Sequence, residues 1–148
     1  MRRFLTSRHW PALLASLALS LPLGLSVDAA KADETQDMAM RDALEAARAK
    51  EFSRIDQAAI DGHVLEGYVE YHRLLSRLPN APASQVQDFM ARYDDSPLAD
   101  WMRGEAISRY GKAGRFESLR EISNGEPRGG QRRCYYYTAL LDTRPVDA

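Results

Sequence analysis

A chain of 148 residues, 45% hydrophobic and 28% charged, has the composition of one ordinary globular domain and little room for a second. Its net charge of -1 excludes the strong electrostatic pull of a nucleic-acid or anionic-lipid binder. A single cysteine, Cys134, excludes an internal disulfide, so the fold must rest on packing.

The first 32 residues read as a secretory signal peptide. Arg2, Arg3 and Arg8 form a positive n-region, and an apolar run follows from Ala12 to Leu25. Ala30 and Ala32 put small residues at the two positions a signal peptidase reads, which predicts cleavage after Ala32. The run is too short for a comfortable membrane span, so no stable membrane anchor is expected. Arg2-Arg3 lacks the polar residues that precede the pair in a twin-arginine signal, which leaves the general export route.

Beyond Ala32 no stretch alternates long enough to form a strand, whereas helical spacing recurs. Met40, Ala43, Leu44 and Ala47 make a first apolar stripe, and Phe52, Ile55 and Ala59 a second. Tyr68, Tyr71, Leu75 and Leu78 make a third; Val86, Phe89, Met90 and Tyr93 a fourth. Leu98, Trp101, Met102, Ala106 and Tyr110 make a fifth, Phe116, Leu119 and Ile122 a sixth, and Cys134, Thr138 and Leu141 a seventh. The punctuation agrees. Gly62 and Gly67 bracket one gap, Pro79 and Pro82 another, and Ser96-Pro97 reads as an N-cap followed by proline at the first helical position. Gly111 and Gly114 separate the fifth helix from the sixth, and Asn124-Gly125 and Gly129-Gly130 break the chain before the seventh. Hairpins then start near residues 36, 67, 97 and 129, a spacing of about 30 residues that matches stacked helix-pair solenoids. A lone helix pair leaves its apolar face open, so each hairpin must lean on the next.

Chemistry-bearing residues are few. His63 and His72 have no further ligand at metal spacing. Cys134 lies on the seventh stripe and reads as a small buried hydrophobe, not a reactive thiol. Glu66 and Glu70 share a helical face, but a sugar-cleaving acid needs a cleft that raises its pKa, so both read as solvated surface. Tyr135, Tyr136 and Tyr137, after Arg132-Arg133, point about 100° apart on a helix and form no continuous stacking platform; at least one ring should pack inward.

Three segments resemble a known family. Residues 65–78, Leu65-Glu66-Gly67-Tyr68-Val69-Glu70-Tyr71-His72-Arg73-Leu74-Leu75-Ser76-Arg77-Leu78, are similar to the tyrosine- and arginine-rich helix near the start of soluble lytic murein transglycosylases. Residues 89–99, with Tyr93 and Asp94-Asp95 before Ser96-Pro97-Leu98-Ala99, resemble that family's next helix–turn–helix junction. Arg133-Cys134-Tyr135-Tyr136, with Ala139-Leu140-Leu141 following, resembles its arginine-cysteine-tyrosine-tyrosine helix. The resemblance covers roughly residues 38–141.

It implies an all-α, right-handed superhelix (an α-solenoid) of helix hairpins after an N-terminal signal peptide. The expected divisions are residues 1–32 as signal, 33–141 as part of the superhelical domain, and 142–148 as an irregular tail. In the family such a superhelix precedes a lysozyme-like domain that cleaves peptidoglycan between N-acetylmuramic acid and N-acetylglucosamine without hydrolysis, using one glutamate and no cofactor. Glu117-Ser118 echoes the family's catalytic glutamate-serine pair, but the glycine-leucine-methionine-glutamine stretch that should follow is absent. The pair reads as a chance dipeptide, so no catalytic, cofactor-binding or metal-binding residue is assigned. The expectations are a periplasmic location, peptidoglycan as the partner of the full-length enzyme, no nucleic acid, no activity of this chain alone, and self-association through an uncovered last helix. The alternative is a stand-alone periplasmic adaptor that binds a protein or a peptidoglycan strand.

Overall fold

The computed structural model describes residues 25–142, with side chains from Glu34 onward. Most of the expected signal peptide therefore lies outside the described residues, as does the tail from residue 143. Every regular element among the described residues is helical. Helix α1 spans Leu25–Ala49, α2 Gln57–Ile60, α3 Glu66–Arg77, α4 Ala83–Arg92, α5 Pro97–Lys112, α6 Phe116–Ile122 and α7 Gly130–Leu141. None is long and apolar enough to cross a membrane.

The second stripe is not one helix. Lys50 takes a positive φ of 63° and closes α1, and a 3-10 turn follows at Phe52–Arg54. Ile55 is extended, and Asp56 then starts the single turn of α2 by accepting from the Ala58 and Ala59 amides. An aspartate with free amides two and three residues on competes with helix continuation, which breaks the stripe where apolar spacing alone predicts continuity. Ser96 and Pro97 behave as predicted: the serine Oγ accepts from the Leu98 amide and proline occupies the first turn of α5.

The helices pack as a ladder. Helix α1 lies on α3, α3 on α5, and α5 on α7. Helices α4 and α6 touch each other and form a second layer against α5, with α6 also against α7. The apolar side chains fall into two clusters. The front one holds Met40, Ala43, Ala47, Ile60 and Val69. The main one runs from Leu74 to Ala139 and centres on Val86, Met102, Tyr110 and Leu119. Tyr110 is wholly buried, yet its hydroxyl donates to the Ala81 carbonyl at 2.8 Å, so no polar atom of the ring is stranded. The Arg115 guanidinium lies over that ring and donates to the carbonyls of Pro79 and Ala81, pinning the α3–α4 connection.

Two glycines read as breaks lie inside helices. Gly67 is in the first turn of α3, where a Cβ would stand 2.6 Å from the Tyr93 ring. Gly111 is in the last turn of α5, where a Cβ would meet Tyr135 at 2.3 Å. Each is a place where a ring lies directly on a helix backbone, not a place where the chain turns.

The last helix corrects the sequence reading. Cys134 is exposed, and so are Thr138 and Leu141, the latter at 59%. Tyr135 and Ala139 face the core instead, with Tyr136 beside them. The helical period holds, but the buried face is shifted by one residue. The reason is Gly111, which leaves a hollow that only a flat ring at position 135 fills.

Candidate functional site

The residues singled out for chemistry mostly hold the ladder together. Nδ1 of His63 accepts from the Leu65 amide at 3.0 Å, so Nε2 carries the proton and donates to Asp37 at 3.0 Å. Gln36 donates to the Asp61 carbonyl beside it. Together they clamp α1 to the α2–α3 connection. His72 is half-buried, edge-on to Tyr71, and its pKa is lowered by burial and then by nearby Arg48. No group of three His, Cys, Asp or Glu side chains able to hold a metal ion occurs among the described residues.

Glu66 and Glu70 lie at the surface, partly exposed, and each is engaged by neighbouring elements. Glu66 accepts from Gln57 at 2.8 Å and from the Gly62 amide at 3.1 Å. Glu70 accepts from Arg92 and, at 2.6 Å, from the Tyr93 hydroxyl. The oxygens of both carboxylates are thus committed to donors, and the pair acts as a tie between elements. Burial, then the bond to Glu70, pushes the Tyr93 phenol up to about 12. Glu117 is exposed on α6, while its neighbour Ser118 is buried and accepts from Arg115. Of the three tyrosines, Tyr135 and Tyr136 pack inward, and Tyr137 is outside with its hydroxyl on Glu126.

A different cluster stands out, and its members belong to no motif. Trp101, predicted as core, is half exposed because α5 buries Ala99 and Ile107 in its place. Its indole sits edge-on against Tyr68 and Tyr71 of α3, at 6.3 and 6.5 Å between ring centres. One turn along the same side of α5 is Glu105, flanked by Arg109 at 3.6 Å and by Arg132 of α7 at 3.7 Å. Arg132 is positioned twice. Its Nε donates to Ser108 at 3.0 Å, and its guanidinium lies against Gly104. The Tyr71 phenol lies in the field of Glu105, Arg109 and Arg132; burial and then Glu105 raise its pKa.

This face spans α3, α5 and α7. It joins aromatic rings to a carboxylate and two guanidiniums, and such a set can stack an apolar ring face and hydrogen-bond polar groups around its rim. A strict i, i+4 reading from Leu98 through Met102 and Ala106 already puts Trp101 at the edge of the buried stripe, next to Asp100, Arg103 and Glu105. Its large apolar side chain hid that signal.

Two of the hollows among the described residues adjoin chemistry-bearing side chains. One, of about 380 Å³, lies between α5 and the α6–α7 connection and is lined by Asp100, Arg103, Ile107, Glu126, Arg128 and Arg132 among others. The other, of about 340 Å³, lies beside α3 and is lined by Glu66, Glu70, Arg73, Arg77 and Arg92 among others. Compared with known proteins, the chain matches no protein-family model, no curated protein and no solved structure.

Proposed function

We propose that the chain is part of the superhelical domain of a periplasmic lytic murein transglycosylase, and that its own task is to hold peptidoglycan glycan strands. The carrying observation is the face of Tyr68, Tyr71 and Trp101 with Glu105, Arg109 and Arg132. A pyranose offers an apolar C–H face to an aromatic ring and hydroxyls to carboxylates and guanidiniums, so the chemistry of face and ligand agree.

Two further features support the reading. The first two segments that resemble the family meet in space, Tyr93 of the second lying on Gly67 and bonding Glu70 of the first, while Tyr135 of the third packs on Gly111 at the far end of α5, the helix that the second segment opens. The ladder of neighbour contacts is the packing that a right-handed superhelix of hairpins requires. Export through a signal cleaved after Ala32 would shorten α1 at its start and keep the Gln36–Asp61 and Asp37–His63 contacts that anchor the rest of it.

Sedimentation with murein sacculi tests the proposal. The chain is expected to pellet with sacculi, and Trp101→Ala to weaken binding about tenfold, as for a central aromatic anchor. No 1,6-anhydro-muropeptides should be released, since Glu105, the carboxylate of this face, is paired with the guanidiniums of Arg109 and Arg132 rather than placed to deliver a proton. Anhydro products that disappear on Glu117→Gln would overturn the assignment of a binding role.

The exposed edge of α7 with Tyr137 and Leu141 is the surface through which self-association is expected. A monomer protected against amide exchange through Leu141 that does not bind sacculi would support the stand-alone adaptor instead.

A further inference from the structure

The hollow between α5 and the α6–α7 connection adjoins the aromatic face, because Arg132 and Gly104 border both. Trp101 is three residues from Gly104 and so its neighbour on the helix surface. The charges of the hollow are uneven in their partners. Asp100 is engaged by Arg103 at 2.7 Å. Glu126 is held by Arg133 and by the Tyr137 hydroxyl at 2.9 Å. Arg128 forms no ion pair among the described residues, and three guanidiniums, of Arg103, Arg128 and Arg132, line the space against the two carboxylates of Asp100 and Glu126. Donors therefore exceed acceptors in a space large enough for a small ligand group. An unpaired guanidinium is best satisfied by a carboxylate, whose two oxygens match its fork.

We propose that this cleft takes a carboxylate carried by the glycan on the aromatic face, so that the chain selects acidic glycan over neutral glycan. The inference rests on the glycan reading above. Peptidoglycan offers such a group from two sources: the lactyl carboxylate where the peptide has been removed, and the peptide carboxylates where it has not. Both lie to one side of the sugar ring, as the cleft lies to one side of Trp101.

Calorimetric titration of the full chain with three probes separates the cases. The probes are peptide-bearing murein glycan fragments, the same fragments stripped of peptide by an amidase, and neutral chitohexaose. At low salt the favoured acidic probe is expected to bind about tenfold more tightly than chitohexaose, the usual worth of a charge-assisted hydrogen bond at a partly enclosed site. Whichever acidic probe binds more tightly identifies the carboxylate. The Arg103→Gln/Arg128→Gln double variant should lose the advantage and keep the chitohexaose affinity. Arg128 is exposed and unpaired, so Arg128→Gln alone preserves the fold and should lose part of the advantage. Equal affinity for all three probes, or an acidic advantage untouched in both variants, would overturn the cleft and leave the aromatic face standing. Failure to bind any of the three would overturn the glycan reading itself.

Discussion

Tyr93 shows how one side chain ties several levels together. Its ring fills the space above Gly67, its hydroxyl donates to Glu70, and it packs at a tilt against Phe89, 4.7 Å between ring centres. Its ionisation gives a pH signature. The folded pKa of about 12 lies above the ordinary tyrosine value, so the native state holds the proton more tightly than the unfolded chain. The resulting stability is fully present below about pH 10 and is lost as pH rises toward 12. Denaturant unfolding between pH 9 and 12 should therefore show a shallower decline for Tyr93→Phe than for the wild type. Tyr71 and Tyr110 are also raised by burial, so some decline persists in the variant. An unchanged slope would mean that Tyr93 is neither buried nor bonded to Glu70 in solution.

Among the elements, the helices with strong apolar spacing were legible and the irregular joints were not. Residues 83–92 and 97–112 follow from spacing and from the Ser96-Pro97 start. The one-turn α2 was missed because Asp56 as a cap outweighs the apolar stripe around it. The phase of α7 was missed because Tyr135 and Cys134 are both plausible inward residues, and only the hollow over Gly111 decides between them. The candidate face was illegible for a related reason: Trp101, Glu105 and Arg132 come from two helices, and no spacing rule links residues across a ladder. The α5–α7 joint makes a sharp prediction. In Gly111→Ala the new Cβ meets the Cβ and Cγ of Tyr135, which cannot swing away without moving α7. The substitution should destabilise the protein by about 1–3 kcal/mol, as overpacking does, and should raise amide exchange across Gly130–Leu141 ahead of the rest. Gly111→Ala in a Tyr135→Gly background, which removes both of those atoms, should recover much of that loss. No recovery would place the damage elsewhere.

For the whole molecule, the division into two apolar clusters matters most. The front cluster is small and joins the rest chiefly through α3, which packs on both α1 and α5. The chain should therefore open from its front. Met40 is 1% exposed, so Met40→Ala removes a well-buried side chain at a cost of about 2–5 kcal/mol. Hydrogen exchange of that variant should show lost protection in α1 and α2, with little change from Ala83 to Ile122. Loss of protection throughout would show that the two clusters unfold as one.

The ladder also has a consequence for the way the chain is made. Each helix finds its packing partners one or two elements away in sequence, so relative contact order is low and closure needs no distant segment. A polypeptide delivered amino end first, through a ribosome or a translocation channel, presents Met40, Ile60 and Val69 before any of the main cluster has emerged. The front can close while the remainder is still in transit, and every later helix meets a surface already formed. Assembly thus proceeds vectorially, and little apolar surface waits uncovered at any moment.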